Sequence, residues 1–166
     1  MTTSSVTPLP DDDERRLRDV IARSAAAREQ GRHPFAAIVV GADGTVLGEA
    51  VNNSSGPGGD PTQHAELLAA AAAARSAGPD GMRGSTLYTS AEPCAMCAGA
   101  AYWTGVGRVV YALSESRLLT ITGSHPENPT LDLPCREVFA RGQREVTVSG
   151  PHLEDEAAQA HEGFWV

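Results

Sequence analysis

From Asp12 onward, apolar and small residues recur at helical spacing. Leu17, Val20, Ile21, Ser24 and Ala25 fall on one side of "DDERRLRDVIARSAAAREQ" and the charges on the other, which predicts an amphipathic helix ended by Gly31. Two apolar runs, "FAAIVV" and "TVLGEAVN", are separated by "GADG" and predict a hairpin. After the turn-rich "NNSSGPGG", the stretch "DPTQ" offers Asp60 as an N-cap, Pro61 at a first helical position and Gln63 three residues after the cap. A helix is therefore expected from residue 61, through the alanines to about Ala77, stopped by "GPDG". "STLYTS" reads as a strand, Pro93 opens a second buried helix to about Thr104, and "GRVVYAL" is another strand. Past Ser114 the periodicity weakens. "ESRLLTITGSHPENPTLDLP" is irregular or partly helical, "CREVFARG" a short helix, "REVTVSG" an edge strand and "LEDEAAQAHEGFW" a terminal helix.

Strands alternating with helices call for a sheet covered on both faces. The expected fold is α/β: a three-layer α/β/α sandwich around a central mixed five-stranded sheet, with crossover helices between parallel neighbours. Residues 1–11, polar with two prolines, are expected to form a flexible N-terminal tail, and 12–166 a single domain. A chain of 166 residues can bury a self-sufficient core.

Composition narrows the functional classes. No stretch approaches the roughly 18 uninterrupted apolar residues of a spanning helix, so a membrane role is not expected. Three cysteines cannot build a disulfide framework, and "MTTSSVTPLPDDDE" has neither a basic end nor an apolar run. The expectation is a cytoplasmic protein with reduced thiols. A formal charge of −8, from 13 basic and 21 acidic residues, opposes attraction to a polyanion and makes nucleic acid a poor partner.

The chemistry lies in two short stretches. "SAEPCAMC" puts Cys94 and Cys97 at i and i+3 at a helix start, where unpaired N–H groups and the macrodipole favour thiolates. Alone, such a pair is ambiguous between redox chemistry and metal binding. "QHAEL", thirty residues upstream, puts His64 and Glu66 at the start of the other buried helix. Both stretches follow strands, and loops leaving the C-terminal ends of neighbouring parallel strands share one crevice. One imidazole and two thiolates are three ligands that suit Zn2+, leaving a fourth position for water. Glu66, two residues from His64, points elsewhere around an ideal helix. It is better placed to take that water's proton and return it to a leaving group than to bind the metal.

"HAE" at 64–66 followed by "EPCAMC" at 92–97 resembles the zinc-dependent cytidine/deoxycytidylate deaminase superfamily, whose base deaminases share the H-x-E and P-C-x-x-C signature. The likeness covers roughly residues 12–113. Within it, "PFAAIVV", "VNN", "DPTQHAE", "LYTSAEPCAMCAGAAYW" and "VVYA" are most similar to bacterial guanine deaminases and related free-base deaminases. That resemblance implies hydrolytic release of ammonia from a guanine-like or cytosine-like base, or from a modified base or triazine, by a homodimer. It implies that Asn52 hydrogen-bonds the base edge, that Phe35 and Trp103 wall the pocket, and that Ala65, between the two motif residues, also faces substrate. Ala36 stands where the family usually has glycine, and would narrow the pocket floor. After Ala112 the likeness fails: the family's second acidic proton-shuttling group has no clear match, and Glu115, Glu127, Asp132 and Glu137 all remain candidates.

The chain finishes in "HEGFWV", with Phe164 and Trp165 two of only eight aromatic residues. Such side chains dock on apolar surface rather than stay in water. In the guanine deaminases that this chain resembles the C-terminal segment closes the active site, so the resemblance implies that residues 153–166 form a lid, Phe164 or Trp165 covering the base and Glu162 offering a polar contact. Packing on the back of the sheet is the alternative. Two other functions compete: editing of adenosine in transfer RNA by the same core motifs, and a zinc-stabilised interaction domain without catalysis. The second would require Cys135 as a fourth ligand; its ordinary role is that of a small buried residue.

Overall fold

The structure, a computed structural model, describes residues 8–166, so most of the expected tail lies outside the described residues. The first helix, α1, spans Asp11–Glu29 and is followed by the hairpin of β1, Ala36–Val40, and β2, Val46–Val51. Helix α2 (Ala65–Met82), β3 (Thr86–Ala91), α3 (Ala95–Thr104) and β4 (Arg108–Leu113) come next. Short elements complete the chain: α4 (Glu115–Thr122), α5 (Cys135–Ala140), β5 (Thr147–Ser149) and α6 (Glu154–Ala158), with a 3-10 turn over Gln159–His161.

The sheet order is β2-β1-β3-β4-β5. β1 is antiparallel to both β2 and β3, while β3, β4 and β5 are parallel. β2 therefore runs in the direction of β3 but is not its neighbour, as the shared-crevice expectation had assumed. The ends of β2, β3 and β4 and the start of β1 all open at one edge of the sheet, and the site is built there.

Alternation along the strands explains the layers. Ala37 and Val39 of β1, Leu87 of β3, and Val109 and Tyr111 of β4 face α2, α3 and α5, meeting Ala69, Ala73, Ala98, Ala101 and Phe139. Ala36, Ile38, Val40, Tyr88, Val110 and Ala112 face the other way, onto Leu17 and Val20 of α1, Leu118 of α4 and Ala157 and Ala158 of α6. Ala36 thus belongs to the core under α1 and not to a pocket floor.

The alanine run of α2 lets that helix lie almost on the backbone of β2. A Cβ placed on Gly48 would sit 2.4 Å from the Ala69 carbonyl oxygen and 2.7 Å from the Ala73 nitrogen. The helix stops where "GPDG" predicted a stop: Gly78 has φ 65° and ψ 179°, outside helical space, and Pro79 begins a last short turn. The start differs from expectation. Asp60 caps only a tight turn, accepting the Thr62 N–H at 2.8 Å, and α2 begins at Ala65 with His64 as its extended N-cap residue.

On the other face, Asp13 is buried at the foot of α1, where it accepts hydrogen bonds from Tyr88 Oη at 2.7 Å and Arg108 Nη1 at 2.9 Å. Burial pushes the Asp13 carboxyl upward, but the Arg108 and Tyr88 hydrogen bonds and the Arg108 charge outweigh it and hold the pKa below the usual value. Its contribution is therefore present above the unfolded value and lost as pH falls through the lower folded value.

Two outcomes are expected. Gly48→Ala destabilises by about 1–3 kcal/mol through overpacking, lowering the melting temperature by several degrees in a thermal scan. Asp13→Asn destabilises at neutral pH, and the difference from the parent protein, read by denaturant unfolding, shrinks as pH falls below about 4.

Candidate active site

Two helix starts meet at the open edge of the sheet. His64 and Cys94 are the N-cap residues of α2 and α3, both extended (φ −73°, ψ 150° and φ −64°, ψ 171°), and neither side chain caps its own helix by a hydrogen bond found in the structure. The extended backbone at His64 resolves the geometry of the H-x-E motif. His64 lies before the helix and Glu66 within its first turn, so both reach the same centre although they are only two residues apart.

The ligand atoms of His64, Cys94 and Cys97 lie within 4.8 Å of one another. Cys94 Sγ is 3.6 Å from His64 Nδ1. Tetrahedral zinc with Zn–S of about 2.3 Å and Zn–N of about 2.0 Å places such atoms about 3.6 Å apart, so this donor set fits zinc in chemistry and in spacing. The Cys94 thiol is brought down to about 4, by the Cys97 side-chain hydrogen bond first and then, against burial, by His64 and the Cys97 backbone N–H. The Cys97 thiol is driven well up, by that same hydrogen bond and by burial. One thiolate is thus ready-made, and a bound cation would draw out the second proton. Cys135 is fully buried in the core under α5 and outside this group, which removes the four-ligand arrangement.

Glu66 is 5% exposed, with Thr89 Oγ1 at 3.4 Å and Cys97 Sγ at 3.7 Å from its two carboxylate oxygens. Burial raises its pKa to about 7, against the opposing pull of His64.

A cavity of about 580 Å³ opens in front of these residues. Of the residues the sequence singled out, His64, Glu66, Cys94, Asn52 and Phe35 line it, while Cys97 lies just behind. Ala65 is fully buried in the core and does not reach the lining. Asn52, 2% exposed, is oriented: its Oδ1 accepts from the Ser54 N–H at 2.9 Å and Ser54 Oγ at 2.7 Å, which leaves its NH₂ as the free end. Trp103 is 85% exposed on α3 and is not brought to the cavity of its own chain, because it stands on the solvent side of α3.

The C-terminal stretch forms no lid: α6 packs on the α1 face of the sheet through Ala157 and Ala158, the alternative the sequence had offered, and the residues after it reach the back of the pocket wall. None of residues 153–166 lines the cavity; the late part of the chain that does is Pro126–Leu131. Trp165 lies behind the wall, edge-on to His33 at 5.0 Å between ring centroids and 6.2 Å from Phe35, with its Nε1 donating to His161 Nδ1 at 3.1 Å. Phe164 meets His33 at 5.9 Å. Glu162 is exposed, and its backbone carbonyl accepts from Arg28. The terminal aromatic pair buttresses pocket residues rather than touching the pocket, since His33 and Phe35 already occupy the inner layer.

Sequence reasoning missed much of the lining, His33, Glu92 and Met96 among it. His33 Nε2 donates to Glu127 Oε2 at 2.9 Å. Glu92 is buried with both oxygens used, accepting the N–H groups of Glu115 at 3.0 Å and Cys135 at 2.9 Å. Met96 completes the apolar side. Glu92 carried a signal, its place inside "EPCAMC"; His33 carried none. Of the four carboxyls left open after Ala112, Glu115 and Glu127 line the cavity, and Asp132 and Glu137 are exposed elsewhere.

These elements and this donor set define a zinc-dependent deaminase fold. Residues 10–113 match the family described as "Cytidine and deoxycytidylate deaminase zinc-binding region", and the chain belongs to that family. It is 39% identical over 161 residues, 97% of each chain, to the "Probable cytosine deaminase" of Schizosaccharomyces pombe. It is 43% identical over 83 residues, about half of each chain, to the "Guanine deaminase" of Bacillus subtilis. Among solved structures, NE0047 in complex with 2,6-diaminopurine superposes with a TM-score of 0.76 at 29% identity, covering 95% of this chain and 83% of that one.

Protein purified without chelator is expected to carry one zinc per chain by elemental analysis. Cys94→Ala and Cys97→Ala should each abolish it, because two ligands hold the ion far less tightly than three. Zinc-free protein containing a Cys94–Cys97 disulfide would turn the centre to redox chemistry.

Proposed function

We propose that the protein is a hydrolytic deaminase of free nucleobases, of the cytosine or guanine kind. The observation that carries this reading is Glu66 buried beside His64, Cys94 and Cys97 on the wall of a cavity with ample room for a nucleobase. His64, Cys94 and Cys97 would hold zinc, which would supply the Lewis acidity that eases loss of a proton from a water in the cavity. Glu66 accepts that proton and delivers it to the exocyclic amine. A C–O bond forms at the amidine carbon, the C–N bond breaks, and base plus water becomes an oxo base plus ammonia. Asn52 donates to an acceptor on the ring edge, and Phe35, Met96 and Leu118 exclude water around it.

The lining favours a small neutral substrate. It contains Glu66, Glu92, Glu115 and Glu127 and, among the described residues, no arginine or lysine. A nucleotide phosphate would meet four carboxyl groups and no arginine or lysine to hold it. The same acidity, with the net charge of −8, weighs against transfer RNA. A centre that depends on two thiols also agrees with a cytoplasmic, reducing setting. Assembly as a homodimer is part of this reading: Trp103 is a large apolar side chain left in water, and a second copy would cover it.

An ammonia-release screen over bases, nucleosides and nucleotides is expected to show turnover of free bases and none of nucleotides. Glu66→Ala should lose about 10³-fold or more in kcat/KM while keeping its zinc, since it removes the proton carrier and no ligand. Loss of zinc in that variant would assign Glu66 to the metal instead.

A further inference from the structure

One carboxyl in the cavity has no partner. Glu92 spends both oxygens on backbone N–H groups, Glu66 faces Thr89 and Cys97, and Glu127 is largely in solvent beside His33. Glu115 is 6% exposed, lines the cavity, and has no side-chain hydrogen bond among the described residues, although its backbone N–H is fixed by Glu92. Its backbone is held and its carboxyl opens on the cavity with no protein partner, so the hydrogen-bonding capacity of that carboxyl is free for a ligand.

The sheet says which side of the ligand it meets. Asn52 directly follows β2 and Glu115 opens α4 just past the end of β4. The order β2-β1-β3-β4 sets these two exits three strand spacings apart, about 14 Å at the backbone. That leaves room for one ring system with a hydrogen bond at each end. The metal ligands and Glu66 lie between, over β3, where Glu66 touches Thr89. A base whose amine-bearing carbon faces the centre therefore presents one flank to the Asn52 NH₂ and the other to Glu115.

We propose that Glu115 is a specificity-determining residue that pairs with a lactam edge, a ring N–H and its neighbouring C=O, so that the enzyme prefers 2-amino-oxo bases such as guanine and isocytosine over cytosine. This rests on the deaminase reading above. Burial, followed by the charges of Cys94, Glu66, Glu92 and Asp132, raises the Glu115 pKa to about 8. A neutral carboxyl carries one donor and one acceptor side by side, which matches a lactam in a two-bond ring. In guanine and isocytosine the amine-bearing carbon has a ring nitrogen on both sides: a lone pair for Asn52 on one flank and the lactam N–H on the other. Cytosine has a lone pair on one flank and a C–H on the other. It leaves Glu115 unpaired, or, turned over, gives it two acceptors for one donor.

The test uses isocytosine and cytosine, two isomers of equal size, titrated by calorimetry into zinc-loaded protein carrying Glu66→Ala so that neither is consumed. Isocytosine is expected to bind at least 10-fold more tightly. Adding Glu115→Ala, or Glu115→Leu if the alanine variant does not fold, should bring the ratio near one. Adding Glu115→Gln, which keeps a donor and an acceptor in the same places, should preserve it. Tighter cytosine binding in the parent, an unchanged ratio in the alanine or leucine variant, or a ratio lost in the glutamine variant would each overturn the assignment. The deaminase reading fails separately, if the unmutated zinc protein releases no ammonia from any base.

Discussion

Everything at the open edge of the sheet is referred to one buried carboxylate. Glu92 leaves β3 immediately before the metal-binding turn, and its own N–H is held by the Leu113 carbonyl at 2.7 Å, which ties it to the end of β4. Its two oxygens then take the first N–H of α4, at Glu115, and the first N–H of α5, at Cys135. Helix starts have N–H groups with no partner inside the helix, and a carboxylate is the strongest acceptor available to them. One side chain thus fixes where β4 turns into the pocket wall and where the segment containing Pro126–Leu131 returns to the core. A glutamine could keep one of those bonds by its oxygen, but its NH₂ would face a second N–H, so the carboxylate is required by geometry rather than by charge alone.

That arrangement concentrates acidity. Glu66, Glu92 and Glu115 are all buried at this edge, and three negative charges there would repel one another with little solvent to screen them. The structure meets the conflict by dividing the roles. Glu92 is satisfied by N–H donors, whereas burial lifts Glu66 and Glu115 toward neutrality, to about 7 and about 8. A carboxyl near 7 can both take and return a proton at neutral pH, and one held neutral can donate a hydrogen bond. Two chemistries come from one residue type because their surroundings differ.

Much of this was legible in the chain. The hairpin, the alternating strands and the break at Gly78 follow from short-range rules that the tertiary structure does not override. The metal ligands were legible because H-x-E and P-C-x-x-C combine residue types that have little other reason to recur at that spacing. What failed was anything set by a few residues of backbone path. Asp60, Pro61 and Gln63 carry a good helix-start signal, yet the chain spends them on a turn and begins α2 at Ala65. That delay leaves His64 extended, which is what allows it to share a centre with Glu66. The stronger local signal lost to the need of the site. The order of the strands was also beyond periodicity: the sequence shows that β2 and β3 each precede a helix, but not that β1 lies between them.

The C-terminal residues show why apolar docking can be foreseen when its destination cannot. Phe164 and Trp165 did find apolar surroundings, as hydrophobicity required. Hydrophobicity has no direction, however, and the nearest open apolar surface was the outer side of His33 and Phe35 rather than the cavity itself. His161, fully enclosed with its pKa lowered to about 4 by burial and then by Arg28, stays neutral and so can accept from the Trp165 indole. The terminus is therefore anchored by one directional bond among several non-directional contacts. Through His33, which reaches Glu127 at 2.9 Å, it bears on the one segment after α4 that lines the cavity. A chain end with no atom in the pocket can in this way set the position of a pocket wall, because the side chains between them are close-packed and cannot shift independently.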